Sequence, residues 1–585
     1  MSGEGNAARA LPGNRPGTGL VGAVRHYNRP VEHPFTKAER EHVNILVGGL
    51  TERHNKLIYA AGTGLGYQGA WLPTPTIADY RTGRELCNPG MCNPAYFTVG
   101  ALINYLRALR HERGASAQDI VRDYVFVTAG SLGPCRFGIY ESEYRLALEK
   151  AGFVGFRVLL IQQKGGWKQS GDGAGLEVDA RLGTVMLTAA VIADLLNDLA
   201  NQIRPYEVVA GQTDQVFEEV VEGLGEVLHE WAARGFRGGA VARLLARCVP
   251  GVDAGAMQRL LELLFGDHFT TALDQCARKI DAEIEVDYTR PKPVCKIVGE
   301  FWAQRTEGDG NFGMFSFLEF EGAEVVAEPL ASWFNYLLAS AKWKRQAERG
   351  LEEPRAAGRG PLRALRRGLA YHKGLLPIRL GLRFLNREFE RMRAALGGLT
   401  RPLVDQEELR RLAQPYYNPR LSGGEGHLEV GETLYYGLNA LAHLIISLKP
   451  FGCLPSTQSD GAQAAVLGRY PAILFLPIET SGDRGLGAYS RVQMGLGDAK
   501  GRCRDEFEKA VAETRYPIEA IRAYCRGRRQ LRRPLQRITR QEGVAGRAAN
   551  FVTYVATRMA CDSTYDGHRH GHATRLGVQP ERISL

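Results

Sequence analysis

Four cysteines in this sequence stand where a thiolate could hold a metal. Cys87 and Cys92 frame an Asn-Pro-Gly turn in the 85–109 stretch, ELCNPGMCNPAYFTVGALINYLRAL. Cys135 lies in 130–138, GSLGPCRFG, and Cys453 in 449–461, KPFGCLPSTQSDG. Gly and Pro shape loops whose backbone N–H groups are free. Such groups hydrogen-bond to inorganic sulfide and thiolate sulfur, which tunes the potential of an iron–sulfur cluster. Four thiolates would equally suit structural zinc, although zinc motifs come as tight C-x₂₋₄-C pairs and no second pair is present. Spacing alone weighs one shared metal site evenly against unconnected loop cysteines.

The elements around these loops have readable patterns. After Cys92, Asn93 can cap a helix and Pro94 suits its first position. Tyr96, Val99, Ile103 and Leu106 then fall on one helical face. The macrodipole at that helix start is expected to lower the Cys92 thiol pKa and favour the thiolate. The run 124–128, YVFVT, predicts a buried strand. A helix near 139–150 follows, with Tyr140, Tyr144 and Leu148 on one face and Gly152 past its end. The run 156–162 is the next strand. This βαβ unit puts Cys135 at the carboxyl end of a strand, where open α/β sheets bind ligands.

Upstream, Thr36 and Glu39 form a capping box expected to open a helix within 35–54. The glycines of 56–67 lack the GK[ST] ending of a phosphate loop and are read as a helix end and a turn. Residues 186–285 read as helical. A second α/β region begins at 292–300, with Cys295 inside a strand at 294–298. The loop 307–311, EGDGN, suits ligand contact or plain connection equally. A helix and a short strand at 324–327 follow, then a mostly helical, basic insertion over 332–415. Leu434, Leu438, Leu441 and Ile445 predict a helix over 433–448, and 472–479 a further strand.

The expected architecture is α/β, with two Rossmann-like lobes, a helical insertion and a helical C-terminal region. Residues 1–35 read as a disordered arm. Residues 36–200 form the first lobe with the Cys87, Cys92 and Cys135 loops, and 201–290 a helical segment. Residues 291–500 form the second lobe with the basic insertion and the Cys453 loop, and 501–585 a basic helical region. Cys248 and Cys276 are read as small core residues. Cys503, Cys525 and Cys561 stand singly, without ligand spacing. The His-rich 567–572 segment, GHRHGH, is read as a flexible polar tail.

Whole-chain properties narrow the class. The 585 residues are 44% hydrophobic and 24% charged, as in a soluble globular protein. No signal peptide is legible, and no apolar run is read as approaching the roughly 18 residues of a membrane span. The expected location is cytoplasmic, where the 10 cysteines stay reduced and metal or catalytic roles gain weight. The net charge of +10 is clustered at 355–393, with Arg359, Arg363, Arg366, Arg367 and Lys373, and at 522–547. These are solvated helical faces or a site for an anionic partner.

Several motifs occur in order: CNPAYFTVGALI, YVFVTAGSLGPCRFGIYESEYRLALEKAGF, RPYEVVAGQTD, KIVGEFWAQRTEGDGNFGMFSFLEFEGAEV, GEGHLEVGE and PFGCLPSTQSDG. Together they resemble the 2-hydroxyacyl-CoA dehydratase-like family, in its CoA-enzyme activase-related branch, from about residue 35 to 498. The resemblance implies an oxygen-sensitive iron–sulfur cluster, of the 4Fe-4S kind, and one-electron chemistry at low potential. It implies an acyl-CoA substrate and reduction by a separate ATP-hydrolysing activase of the actin-like fold, since no phosphate-binding loop is legible here. Cys92, Cys135 and Cys453 match the branch's pattern, and Cys87 less closely. Three ligands would leave one iron open to substrate, and four would make an electron carrier. Glu425, His427 and Glu432 of GEGHLEVGE suit acid–base chemistry by type, and a helix entry explains them as well. The alternatives are a non-catalytic electron carrier or scaffold for another reductase, and a zinc-stabilised, basic nucleic-acid-binding protein. Sparse aromatics in the basic clusters argue against the last.

Overall fold

The computed structural model describes residues 32–130, 133–162, 173–247, 252–348, 361–421, 423–482 and 485–569. Cys248, the residue 1–31 arm, Arg355 and Arg359 of the first basic cluster, and the end of the His-rich tail lie outside them. Two parallel four-stranded sheets organise the chain. The first comprises β1 (Asn44–Val47), β2 (Gln68–Trp71), β3 (Tyr124–Gly130) and β4 (Arg157–Gln162), in the order β2-β1-β3-β4. The second comprises β5 (Val294–Gly299), β6 (Glu324–Val326), β7 (Leu444–Pro450) and β8 (Phe475–Thr480), in the order β6-β5-β7-β8. The chain is α/β with two Rossmann-like lobes and a helical C-terminal region.

Alternating side chains of each strand feed two cores, because helices cover both faces of a parallel sheet. In the first sheet Leu46 and Phe126, paired in register, join Val99, Ile103 and Tyr144. Ile45 and Val125 face the other way, towards Phe35 and Leu182. In the second, Ile297 pairs with Ile446, and both join Leu318, Val492 and Leu496. Val294, Val298 and Ile445 point to Tyr336, Leu409 and Leu428. Each such fully buried aliphatic side chain contributes about 1.5–3 kcal/mol of transfer free energy.

Several expectations are corrected. The 433–448 helix ends at Leu438. Ala440 then takes a left-handed φ of 45°, and LIISLKP forms β7, buried along its whole length. Residues 35–54 hold only a short 3-10 turn at the Thr36–Glu39 capping box, then β1, and a long helix starts at Glu52 behind Thr51. The reading of 56–67 as a helix end and a turn holds: the Glu52–Gly64 helix closes in a turn at 65–66, and the edge strand β2 follows it. The Ala180–Ile203 helix continues into a 3-10 turn at Tyr206, and the stretch is long and apolar enough to cross a membrane by length and composition. However, 67% of its most apolar window is buried inside the protein.

A further core joins the 180–290 helices to the C-terminal region, with Leu196, Phe217, Trp231 and Ile280 packed with Ile521, Phe551 and Val555. The arginines of 522–547 are largely engaged internally. Arg533 pairs with Asp281 at 3.3 Å, and Arg540 donates to the Asn439 and Ala440 carbonyls that end a helix. Arg547 reaches buried Glu324 and Gln202. We therefore expect DNA affinity only at low salt, collapsing as salt rises. A dissociation constant of about 10⁻⁸ M at physiological salt, measured by fluorescence anisotropy, would revive the nucleic-acid reading.

Candidate metal centre

Three of the four flagged cysteines meet where the two lobes face one another. Each ends a connection that its strand or turn delivers. Cys135 follows β3 and is the N-cap of a 3-10 turn, Arg136–Ile139. Cys453 follows β7 and is the N-cap of the Leu454–Arg469 helix, with Pro455 in its first turn. Cys92 is the N-cap of the Asn93–Arg113 helix. In both sheets the connection after the third strand leaves the carboxyl edge where strand order reverses, the usual place for a ligand.

Glycines make the approach possible. A Cβ on Gly452 would stand 3.3 Å from Cys92 Cα and 3.3 Å from the Arg136 guanidinium, so the Cys453 loop lies against both other loops. A Cβ on Gly424 would collide with Pro455 at 2.3 Å and touch Cys135 Cβ at 3.8 Å. Both glycines have positive φ, +80° and +92°, so any side chain there would also be strained. Asn93 is not the cap. Its N–H donates to the Phe451 carbonyl at 3.1 Å and its side chain to the Thr480 carbonyl, which ties the helix start to the second lobe.

Two carboxylic acids complete the centre, and the sequence singled out only one of them. Glu300 stands immediately after β5, its carboxylate accepting from Ala303 N–H at 2.9 Å. Glu425, at the start of the Gly426–Leu438 helix, accepts from Phe301 N–H at 2.9 Å. Burial pushes Glu300 up to about 7, and burial with the neighbouring Glu300 charge pushes Glu425 up to about 8. Both act electrostatically on Cys135 and Cys453. A Gly-Glu pair closing an apolar strand was the available signal for Glu300.

The thiols behave otherwise than the helix start predicts. Burial outweighs the helix dipole and pushes Cys92 up to about 11, although Tyr140 Oη, 3.0 Å from Cys92 Sγ, pulls it down. Cys135 and Cys453 are raised by burial as well, while Ser456 Oγ, donating to Cys453 Sγ at 3.2 Å, counteracts it. Burial thus favours neutral thiols, and a cation that binds them must displace their protons.

Cys87 stands elsewhere. It ends the Ile77–Leu86 helix, its N–H bonded to Gly83, and burial and the Glu143 charge raise it to about 12. Asn88 beside it donates twice to Glu143. Cys295, Cys503 and Cys525 are core residues and Cys276 packs against the core. Cys561 is exposed on the last helix. His427 and Glu432 share the helix of Glu425 but not its site. His427 stacks on Tyr336 at 6.0 Å and is lowered to about 4 by burial, whereas Glu432 faces Lys296.

The 307–311 loop does more than connect its neighbours. Glu307 accepts from Glu52 N–H at 3.1 Å and Asp309 from Ile77 N–H at 2.7 Å, so each caps a first-lobe helix from the second lobe. Trp302 packs on Phe97 at 5.5 Å across the same seam.

Among the described residues, no three His, Cys, Asp or Glu side chains are close enough to enclose one metal ion. A single zinc draws every sulfur to about 2.3 Å of one point. A cluster instead takes its thiolates at separate irons, so it tolerates a wider triangle. Three soft thiols on N–H-rich loops, each with hydroxyl or amide donors, fit that second demand. No protein-family model matches the chain, and no curated protein matches it either.

Proposed function

We propose that this chain is an iron–sulfur protein of the 2-hydroxyacyl-CoA dehydratase type, with Cys92, Cys135 and Cys453 holding a 4Fe-4S cluster between the lobes. The observation that carries the reading is the meeting of three separate cysteine loops beside the buried carboxyl groups of Glu300 and Glu425. The cluster would supply one-electron chemistry at low potential. The chain's own residues would do the rest. The N-termini of the Asn93–Arg113 and Leu454–Arg469 helices direct positive dipole ends at two of the thiolates and favour their charge. Tyr140 and Ser456 hydrogen-bond to sulfur and tune its basicity. Glu300 and Glu425 keep a proton near neutral pH, as a general acid must. With three ligands, one iron would keep a position free for substrate, the case in which the protein is an enzyme and not a carrier. An acyl-CoA substrate, a separate ATP-hydrolysing activase and a cytoplasmic setting belong to the same proposal.

Protein purified without oxygen should be brown, with iron and acid-labile sulfide in comparable amounts. A colourless, zinc-loaded protein from iron-replete anaerobic cells would remove the reading. We also expect the centre to accept an electron only when activase, ATP and a strong reductant are all present. Extra negative charge in a partly buried site is costly, and ATP hydrolysis in the partner offsets it. The reduced-state paramagnetic signal in matched samples checks this. Full reduction by a ferredoxin without ATP would leave a plain electron carrier.

A further inference from the structure

Behind the metal centre, the second lobe buries a group of charges that the cysteine chemistry does not use. Lys296 on β5 is fully buried and donates to Glu328 Oε2 at 2.7 Å. Its Nζ is also 3.2 Å from Glu432 Oε2, but off the hydrogen-bonding direction, so that oxygen has no hydrogen bond. Arg305 faces Glu328, Glu432 and Asp194, and its buried Nε has no partner. Asp194 accepts from Leu330 N–H at 2.6 Å and Ala331 N–H at 2.8 Å, and its Oδ1 is 3.1 Å from His54 Nε2. His54 Nδ1 in turn is 2.7 Å from Thr51 Oγ1, at the partly exposed start of a helix. Ser332, next to Ala331, donates to Glu328 Oε1 at 2.6 Å. Buried ion groups seldom stabilise a fold more than apolar packing would, and perturbed ones cluster at functional sites.

Two elements join this group to the cysteines. The Gly426–Leu438 helix starts at Glu425 by Cys135 and carries Glu432 seven residues on, about 10 Å along its axis. The 300–305 turn has Glu300 at one end and Arg305 at the other. Charge at the centre is therefore felt at Glu432.

We propose that Glu432, with Lys296 and Glu328, is a buried proton store that takes up one proton when the metal centre takes up one electron. This rests on the iron–sulfur reading. The electron comes from an external one-electron reductant. The proton comes from solvent and ends on the Glu432 carboxylate, which becomes the acid, and no other bond changes. Geometry leaves the acceptor oxygen open for it. Burial raises Glu432 to about 7, against the pull of Lys296 and Arg305 and with the push of Glu328, so the group is poised near neutral pH. Tyr436, on the same helix, lies under Lys296 Nζ at 4.6 Å. One added negative charge about 10 Å away at an effective dielectric of about 20 strengthens the hold on this proton about tenfold.

Reduction should then become harder as pH rises, because the oxidised form loses the proton first. The test uses the iron-loaded full chain, held without oxygen and titrated with reductants of graded potential from pH 6 to pH 9. The reduced-state paramagnetic signal is the readout. The reduction equilibrium constant should fall about tenfold across that range, or ~59 mV for one electron. Glu432→Gln should flatten the dependence with iron content unchanged, and Glu432→Asp should restore it. Glu328→Gln is the second variant if Glu432→Gln does not fold. A pH-independent potential in the unsubstituted protein overturns the proton store, as does an undiminished dependence in a folded Glu432→Gln. Iron-free protein would instead overturn the iron–sulfur reading, and this inference with it.

Discussion

Cys92→Ser, Cys135→Ser and Cys453→Ser should each lose most of the iron from protein prepared without oxygen, whereas Cys87→Ser should keep it. The first three thiols meet at the seam, and a missing thiolate leaves an iron open to solvent and chelators. Cys87 lies with Glu143 and Lys150 at the end of the Ile77–Leu86 helix, where only packing would be disturbed. Cys276→Ser should also keep its iron. Iron and sulfide assays on folded variants read the result directly. Tyr140→Phe removes only the hydroxyl at the Cys92 sulfur, and a 10–100-fold weaker hold on iron is expected for such a supporting group. If Cys453→Ser retains a full cluster, the meeting of the three loops is not a ligand set. If Cys87→Ser loses it, the turn must rearrange to supply a fourth thiolate.

Glu324→Gln should destabilise the folded protein by about 3–5 kcal/mol at neutral pH, the penalty for breaking a buried charge arrangement from one side. Glu324, on β6, is 1% exposed and receives Arg401, Arg547 and the Tyr206 hydroxyl, the last at 3.1 Å. The amide would leave two half-buried guanidinium groups without their shared anion, Arg401 keeping only Asp198, at the joint between the second sheet and the C-terminal helices. Burial raises the Glu324 pKa, yet the two arginines outweigh it and hold it below the ordinary value of 4.5. A carboxylate depressed in the folded state gives stability that is fully present above 4.5 and lost as pH falls through its folded value. The difference between the two proteins in urea unfolding should therefore be constant from neutrality to about pH 5 and shrink below it. An unchanged midpoint at neutral pH would show that the arginines find other partners.

The sequence was most informative where one pattern dominated. YVFVT and its following helix fixed β3 and Cys135, because a β-branched run ending in Gly has few other solutions. β1 and β2 were missed because NILV and QGAW are four residues each and lie among helix-forming neighbours. The 433–448 reading failed for a different reason. Helical spacing continues through Leu441 and Ile445, but a strand buried on both faces is also a continuous apolar run, and periodicity cannot separate the two. The decisive residues are Asn439 and Ala440, which turn the chain before β7. At the site, three cysteines were visible from their Gly and Pro neighbours. Glu300 was not, because its role depends on a sheet that brings residue 300 beside residues 92 and 453. The helix dipole at Cys92 was read correctly as geometry, but burial, a property of the folded chain, reversed its effect on the thiol.

The equal strand order of the two sheets has a consequence for how the protein ages. Cys92 and Cys135 belong to one lobe, and Cys453, Glu300 and Glu425 to the other, so an occupant of the centre binds the docked pair and neither lobe alone. Any such ligand stabilises the docked state by mass action, in proportion to the logarithm of its concentration over its dissociation constant. If the proposed cluster is there, oxygen damage to it would be felt as loosened mechanics: the direct contacts across the seam, among them the Glu307 and Asp309 caps, the Trp302 packing and the Asn93 hydrogen bonds, would have to hold the lobes without it, and protease cleavage between the lobes would report the loss.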